Sequence, residues 1–508
     1  MDNKHLKKTS KKIFGLRIHP TVFTVSAAFT ILFVLANIFW NEAISAAFSY
    51  LIPLITQKVG WFYILSVNIF IAYLAFLAIT PYGKIRLGGE EAKPQFSYFS
   101  WFAMLFSAGM GIGLLYYGVG EPVQHFSTFV EAGTSAEQAV QKSMAFTFFH
   151  WGIHAWAIYG LVGLSLAFFS FNRKLPLTMR SAFYPLLKER IFGIWGNLID
   201  ILSVIATLFG MAATLGLGVQ QINAGLHHLF GTSISPFVQI FLIITITTIA
   251  GISVVSGLQK GVRYLSEITI VLAAVLLGFM LFNGPSTHLL SSFFGNTVMY
   301  AKWLPHYSDW TSYKHIGPQE EWTIFYWAWW ISWSPFVGMF IAKISKGRTI
   351  REFISGVLLV PTLLILIWFT AFGNSALFEE RFGDRSITSF VESNFQTSIF
   401  QFLEILPIPL LSSMLTLFVI VLFFVTSSDS GSLVIDAITA GGTTKAPVRQ
   451  RIFWAGMQGV LAIVLLTSGC IQAFESAVIT SALPLTVVLL LVCWSLQKGV
   501  HRELTQSS

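Results

Sequence analysis

The stretch FYWAWWISWSPFVGMFIAKISKGRTIRE, residues 325–352, runs from an apolar segment into a basic turn. Trp327, Trp329, Trp330 and Trp333 fall within seven residues, and Pro335 follows in the middle of the run. At about 100° per residue, a helix gathers Tyr326, Trp329, Trp330, Trp333 and Phe340 into an arc of roughly 100°, with Trp327 pointing elsewhere. Aromatic residues in membrane proteins usually anchor the interfaces. Trp330 and Trp333 lie too near the middle of their segment for that role.

The rest of the chain has the same character. Of its 508 residues, 55% are hydrophobic and 11% charged, and the mean hydropathy is +0.70. Soluble chains carry roughly 25% charged residues. A soluble fold of this length cannot hide so much apolar surface, so the bilayer must be the solvent. A spanning helix needs about 20 apolar residues. Twelve candidates fit, at 20–40, 60–81, 99–119, 144–170, 197–226, 236–256, 264–284, 323–342, 353–373, 407–427, 452–470 and 475–497. Strand periodicity is absent, which argues against a β-barrel. The basic start, MDNKHLKKTSKK, precedes an apolar run too long for a cleaved signal. Cys470 and Cys493 lie in apolar runs and indicate neither a disulfide framework nor a metal site.

Charge placement supports the count. With both termini cytoplasmic, 25 of the 31 Lys and Arg residues fall on inner segments. The outer loops carry acids, among them Glu121, Glu131, Glu137, Glu320, Glu321, Glu379 and Glu380. The positive-inside rule therefore explains the net charge of +8 without nucleic-acid binding.

Two spans carry unusual backbone signals. In FSAGMGIGLLYYGVGEP, residues 106–122, Gly109, Gly111 and Gly113 alternate. Glycine costs about 1 kcal/mol relative to alanine inside a helix. Either the segment is unwound or it packs closely on a neighbour. In the eighth span, Pro335 and Gly338 predict a second interruption. Interruptions at matching places in two five-helix halves indicate a transporter built on an inverted repeat.

The fourth span reads FHWGIHAWAIYG at 149–160, and Trp151, Trp156 and Tyr159 share a helical arc of about 140°. Two aromatic faces can make a cage. A quaternary ammonium suits it, because the group offers no conventional hydrogen-bond donor and ring faces attract its charge. Deep acids are few: Asp200, Glu267, Glu404 and Asp429 all sit near predicted helix ends, where capping or interfacial pairing explains them. His150 and His154 flank Trp151 and read as structural histidines before proton relays.

On GMGIGLLYYGVGEP, HWGIHAWAIYG, GLQKGVRYLSE and the opening stretch, the chain resembles the betaine/choline/carnitine transporter family over all twelve spans. The resemblance implies an all-α membrane protein of twelve transmembrane helices. Two leucine-transporter-like inverted five-helix repeats follow two extra N-terminal helices. In these terms a basic N-terminus covers 1–19 and the peripheral helices 20–98. The first repeat covers 99–284, an extracellular connection 285–322, the second repeat 323–497 and a short cytoplasmic tail 498–508. It implies a homotrimer in a bacterial inner membrane, with no cofactor and Na⁺ as coupling ion.

Residue roles follow from the same resemblance. Trp151, Trp156, Tyr159 and Trp330 match an aromatic box for a trimethylammonium group, and Trp333 and Phe340 match aromatics on the inward path. Gly109, Gly111 and Gly113 let the third span unwind and present backbone dipoles to a substrate carboxylate. One Na⁺ site matches Ser107, Met110, Phe423, Thr426 and Ser427. A second matches Thr207, Met211 and Phe336, but Met211 places a thioether where sodium-coupled members carry a hydroxyl. Sodium-independent carnitine exchangers carry an arginine at the position of Thr269. Proton-coupled choline members tend to carry aspartate at the position of Gly113, so glycine favours a zwitterion. The leading expectation is Na⁺-coupled import of glycine betaine. H⁺-coupled or Na⁺-independent transport of choline or carnitine is the alternative, and a membrane enzyme acting on choline lipids a remote one.

Overall fold

The computed structural model describes residues 9–13, 15–109, 111–255, 259–311, 319–443, 446–468 and 471–507. A hairpin of β1 (Lys11–Ile13) and β2 (Leu16–Ile18) leads into α1 (Pro20–Phe39) and α2 (Asn41–Ile79). The interrupted third span forms α3 (Tyr98–Gly109) and α4 (Ile112–Glu131), and the fourth forms α5 (Ala136–Trp151) and α6 (Ile153–Phe171). There follow α7 (Ile194–Phe230), α8 (Pro236–Val255), α9 (Gln259–Asn283), α10 (Ser286–Tyr307), α11 (Gln319–Ile344) and α12 (Ile350–Phe369). The chain ends with α13 (Ser375–Phe382), α14 (Pro409–Thr439), α15 (Val448–Thr467) and α16 (Ile471–Ser507). Among the described residues, eight helical stretches are long and apolar enough to cross a bilayer. The molecule is an all-α, multi-pass membrane protein apart from the small terminal hairpin.

Burial separates core from periphery. The apolar window of Ala136–Phe171 is 94% buried, whereas that of Pro20–Phe39 is 33% buried. Leu32, Phe99, Phe237 and Phe282 point outward, an apolar exterior that only lipid can solvate. Near the centre, α6 crosses α11 at two glycines. A Cβ on Gly338 would stand 2.5 Å from Val162 Cγ1, and one on Gly163 would stand 3.2 Å from Ile341 Cγ2. Apolar tails solvate leucine as well as protein does, so small residues and close packing hold such helices together.

The glycine segment breaks as expected. Helix α3 ends at Gly109, and α4 starts at Ile112 behind an extended Gly111. The proline segment does not break: α11 runs through Pro335 to Ile344. Proline leaves the carbonyl of Ile331 without its helical donor, and the Ser334 hydroxyl supplies a substitute at 2.7 Å. The matching pair of interruptions is therefore reduced to one. Other irregularities were not foreseen. Gly152 kinks the fourth span between α5 and α6, and residues 370–374 form a π-helical turn after α12. The connection after 284 is largely the helix α10, bent 107° from α9. Asp429, expected near a helix end, is buried well inside α14, which continues to Thr439.

The segments that carry most of the basic residues touch one another. Arg86 donates to the Gly347 carbonyl, Tyr82 meets His501, and Arg173 pairs with Glu503 at 2.8 Å. Arg180 is fully buried, with Nε 2.6 Å from Asp200 Oδ2 and Nη1 3.2 Å from His19 Nε2. Asp200 thus has the pairing expected for it, but inside the protein. The terminal hairpin docks there too, through His19 N–H to the Thr439 carbonyl and Thr9 to the Gly441 carbonyl.

If Gly338 sets the α6–α11 approach, Gly338→Leu should destabilise the detergent-solubilised protein by about 1–3 kcal/mol, the usual cost of overpacking. Gly278→Leu is the control, because nothing lies within 4 Å of a Cβ there. Thermal unfolding curves of the two variants should separate; coincident curves would remove the glycine contact as the determinant.

Candidate functional site

The α6–α11 crossing brings the two aromatic faces together. Trp330 of α11 meets Trp151 with ring centroids 5.0 Å apart and Tyr159 with centroids 6.2 Å apart, both edge-on. Trp329 stacks on Trp330 at 4.9 Å, and Tyr326 lies over it at 5.6 Å. Trp156 touches Tyr159 at 5.6 Å. Such pairs contribute about 0.5–1.5 kcal/mol each beyond area burial. The indole N–H of Trp330 donates to the His150 carbonyl at 2.9 Å, and that of Trp329 to Thr214 Oγ1 at 3.0 Å. Trp327 does point elsewhere, stacked on His154 with an interplanar angle of 4°. Its ring and the contact of His154 with Ser308 give that histidine a structural role.

Trp333 and Phe340 lie farther along α11. Trp333 packs on Trp329 and Phe336, and Phe340 is half-buried against the core. Gly111 and Gly113 face this wall. A Cβ on Gly113 would stand 2.6 Å from Trp151 Cη2 and 3.3 Å from Trp329 Cη2, and one on Gly111 3.9 Å from Trp333 Cη2. Only glycine allows the start of α4 to lie against the rings. Gly111 gives α4 no side-chain cap, and the Leu114 N–H bonds the Gly111 carbonyl at 3.2 Å; the start of α4 is the positive end of the helix dipole.

Glu121, expected on an outer loop, is fully buried in α4. Its Oε2 accepts hydrogen bonds from Trp151 Nε1 at 2.8 Å and from the Tyr326 hydroxyl at 2.5 Å. Oε1 lies 2.7 Å from His150 Nδ1 and 3.4 Å from His125 Nε2. His150 Nε2 in turn lies 3.0 Å from Thr323 Oγ1. Glu121 is not on an outer loop because α4 continues beyond residue 119 to Glu131. The spacing of Tyr117, Glu121 and His125 at four-residue steps was the available signal. Tyr117 was also missed, and its ring touches those of Trp151, Tyr326 and Trp329.

The expected cation ligands divide into two cases. Thr426 Oγ1 donates to the Leu422 carbonyl at 2.9 Å and lies 3.2 Å from the Phe423 carbonyl oxygen, with Ser427 buried beside them. These are hard oxygen donors of the type Na⁺ takes. Met110 and the side chain of Ser107, the rest of that set, lie outside the described residues. At the second place, Thr207 gives its hydroxyl to the Ser203 carbonyl at 2.7 Å. Met211 packs onto Gly431, its Cε 2.5 Å from where a Cβ would stand. Phe336 is turned edge-on to Trp333 at 5.5 Å. A thioether and a ring do not make a Na⁺ shell, so this second set does not fit. Thr269 is buried in α9. Glu404 is near Arg385 and His228 at the surface, and the side chain of Glu267 lies outside the described residues.

Comparison with known proteins agrees with this geometry. Residues 21–505 match the model of the betaine/carnitine/choline family transporters. A glycine betaine/proline/choline transporter of Vibrio parahaemolyticus is 43% identical over 96% of this chain and 91% of its own length. The glycine betaine transporter of Acinetobacter baylyi is 44% identical over 98% of this chain and 76% of its own. Glycine betaine transporter 1 of V. parahaemolyticus is 43% identical over 96% and 95%. Two aromatic faces meeting beside a broken helix, in a chain matched over residues 21–505, lead to one conclusion: the chain belongs to the betaine/carnitine/choline family and is a transporter, not an enzyme.

Proposed function

We propose that the protein is a secondary active transporter that imports glycine betaine with Na⁺. One observation carries the reading: Trp151 of α5, Tyr159 of α6 and Trp330 of α11 converge, with Trp151 directly beside Gly113 at the start of α4. A trimethylammonium group that parts these touching rings is held by their faces, at about 2 kcal/mol or more per desolvated contact. The carboxylate of the same molecule takes N–H groups at the N-terminus of α4, where the helix dipole favours an anion. The rings against Gly113 leave no room for an aspartate unless they move, which favours a zwitterion over a bare cation. The names of the three relatives support the same substrate class.

Coupling in this reading uses a single Na⁺, held by Phe423, Thr426 and Ser427 with Ser107 and Met110. Each ion entering contributes about 2.3 kcal/mol per 100 mV of membrane potential. The chain crosses the inner membrane of a bacterium twelve times, with both termini in the cytoplasm, where the touching basic segments support a common side. Two inverted repeats, 99–284 and 323–497, rock about the box with the break between α3 and α4 as hinge. The protein assembles as a homotrimer.

Uptake of labelled glycine betaine and choline into proteoliposomes tests this directly. Glycine betaine should enter only with an inward Na⁺ gradient, with a Hill coefficient for Na⁺ of about one if a single ion is coupled. Choline uptake driven by H⁺ alone would overturn the proposal. Trp330→Leu should raise the apparent KM about tenfold or more, the equivalent of one lost cation–π contact, with expression intact. Thr426→Ala should raise the half-saturating Na⁺ concentration; unaltered cation dependence would exclude that site.

A further inference from the structure

Glu121 has no part in the transport scheme above, yet it binds the wall of the box. Its Oε2 receives both the indole N–H of Trp151 and the hydroxyl of Tyr326. Those two rings are the ones that touch and overlie Trp330, at 5.0 and 5.6 Å. The backbone closes the loop, since Trp330 donates to the carbonyl of His150, whose ring contacts Oε1. One carboxyl group on α4 therefore orients rings from both α5 and α11.

Orientation matters because a ring attracts a cation only over its face. The edge of the same ring is positive and repels it. An indole freed from Oε2 keeps its bulk but loses the bond that sets its plane. We propose that Glu121 is a positioning residue: it sets the planes of Trp151 and Tyr326, and through them the affinity for the quaternary ammonium head. This inference rests on the aromatic box proposed above.

Glu121, His125 and His150 also bring three ligand atoms within 4.8 Å of one another, which raises a metal site as the competing explanation. The geometry favours positioning. Two ligands of a tetrahedral zinc with bonds near 2.0–2.1 Å stand about 3.3 Å apart, but Oε1 and His150 Nδ1 are 2.7 Å apart, a hydrogen bond. Oε2 already accepts from two donors.

The test is glycine betaine uptake and equilibrium binding in proteoliposomes containing the full-length protein, Glu121→Ala, Glu121→Gln, Trp151→Phe, Tyr326→Phe and their combinations. Glu121→Ala should raise the apparent KM and Kd about tenfold with Vmax within about twofold, the pattern of lost binding without lost turnover. Glu121→Gln keeps an acceptor oxygen for both donors and should recover most of the affinity. With Trp151→Phe and Tyr326→Phe already present, adding Glu121→Ala should change KM less than about twofold, because the three act as one unit. A Glu121→Ala effect that multiplies in full in that background, or a fall in Vmax at constant KM, overturns the proposal. Should Glu121→Ala fail to fold, Glu121→Gln decides: affinity near wild type supports positioning, and affinity as poor as that of Trp151→Phe overturns it. Wild-type uptake abolished by a chelator and restored by Zn²⁺, with the response lost in His125→Ala, would establish a metal site instead. A wild-type protein that takes up no glycine betaine overturns the proposed function itself, before any variant is read.

Discussion

The close approach of α6 and α11 is the constraint from which the site follows. Gly338 and Gly163 let the two helices touch backbone to side chain, and that spacing puts Trp330 within ring contact of Trp151 and Tyr159. In lipid, nothing drives apolar helices together merely because they are apolar, so small residues and shape complementarity must do it. A bulkier residue at the crossing would separate the aromatic faces as it separated the helices.

The second theme is the satisfaction of polar groups where no water is at hand. Pro335 removes a donor from the interior of α11, and Ser334 replaces it at the Ile331 carbonyl. The helix is thereby spared a break, and the aromatic register from Tyr326 to Phe336 stays intact. The carboxyl group of Glu121, buried among rings, is bonded by a tryptophan, a tyrosine and a histidine. The glycine segment is treated differently. There the chain does break, and α4 starts behind an extended Gly111 with no side-chain cap. Unsatisfied backbone at membrane depth is tolerated where it lines a cavity or meets protein.

The two residue sets considered for Na⁺ offer different chemistry. Met211 fills the space over Gly431 with sulfur and methyl, and the nearby Thr207 hydroxyl turns to its own helix. The oxygen-rich set around Thr426 keeps its donors close together. The two places thus differ in chemistry although they belong to the same core.

Much of this was legible in the sequence because it rests on local properties. Composition required a bilayer, the 3.6-residue period aligned Trp329, Trp330 and Trp333 on one face, and three alternating glycines marked a segment that is either unwound or closely packed, where the structure separates α3 from α4. A thioether at Met211 could be recognised as a poor Na⁺ ligand from its chemistry alone. Other features depended on partners distant in the chain. Glu121 looked like a loop acid until Trp151, Tyr326 and His150 were packed around it. Pro335 looked like a break because only the folded helix shows the Ser334 hydroxyl reaching Ile331. The kink at Gly152 is set against Tyr300, nearly 150 residues away. Periodicity reports which face of a helix is apolar, but a buried polar group is permitted or forbidden by what other helices bring to it, and that is a property of the assembled fold.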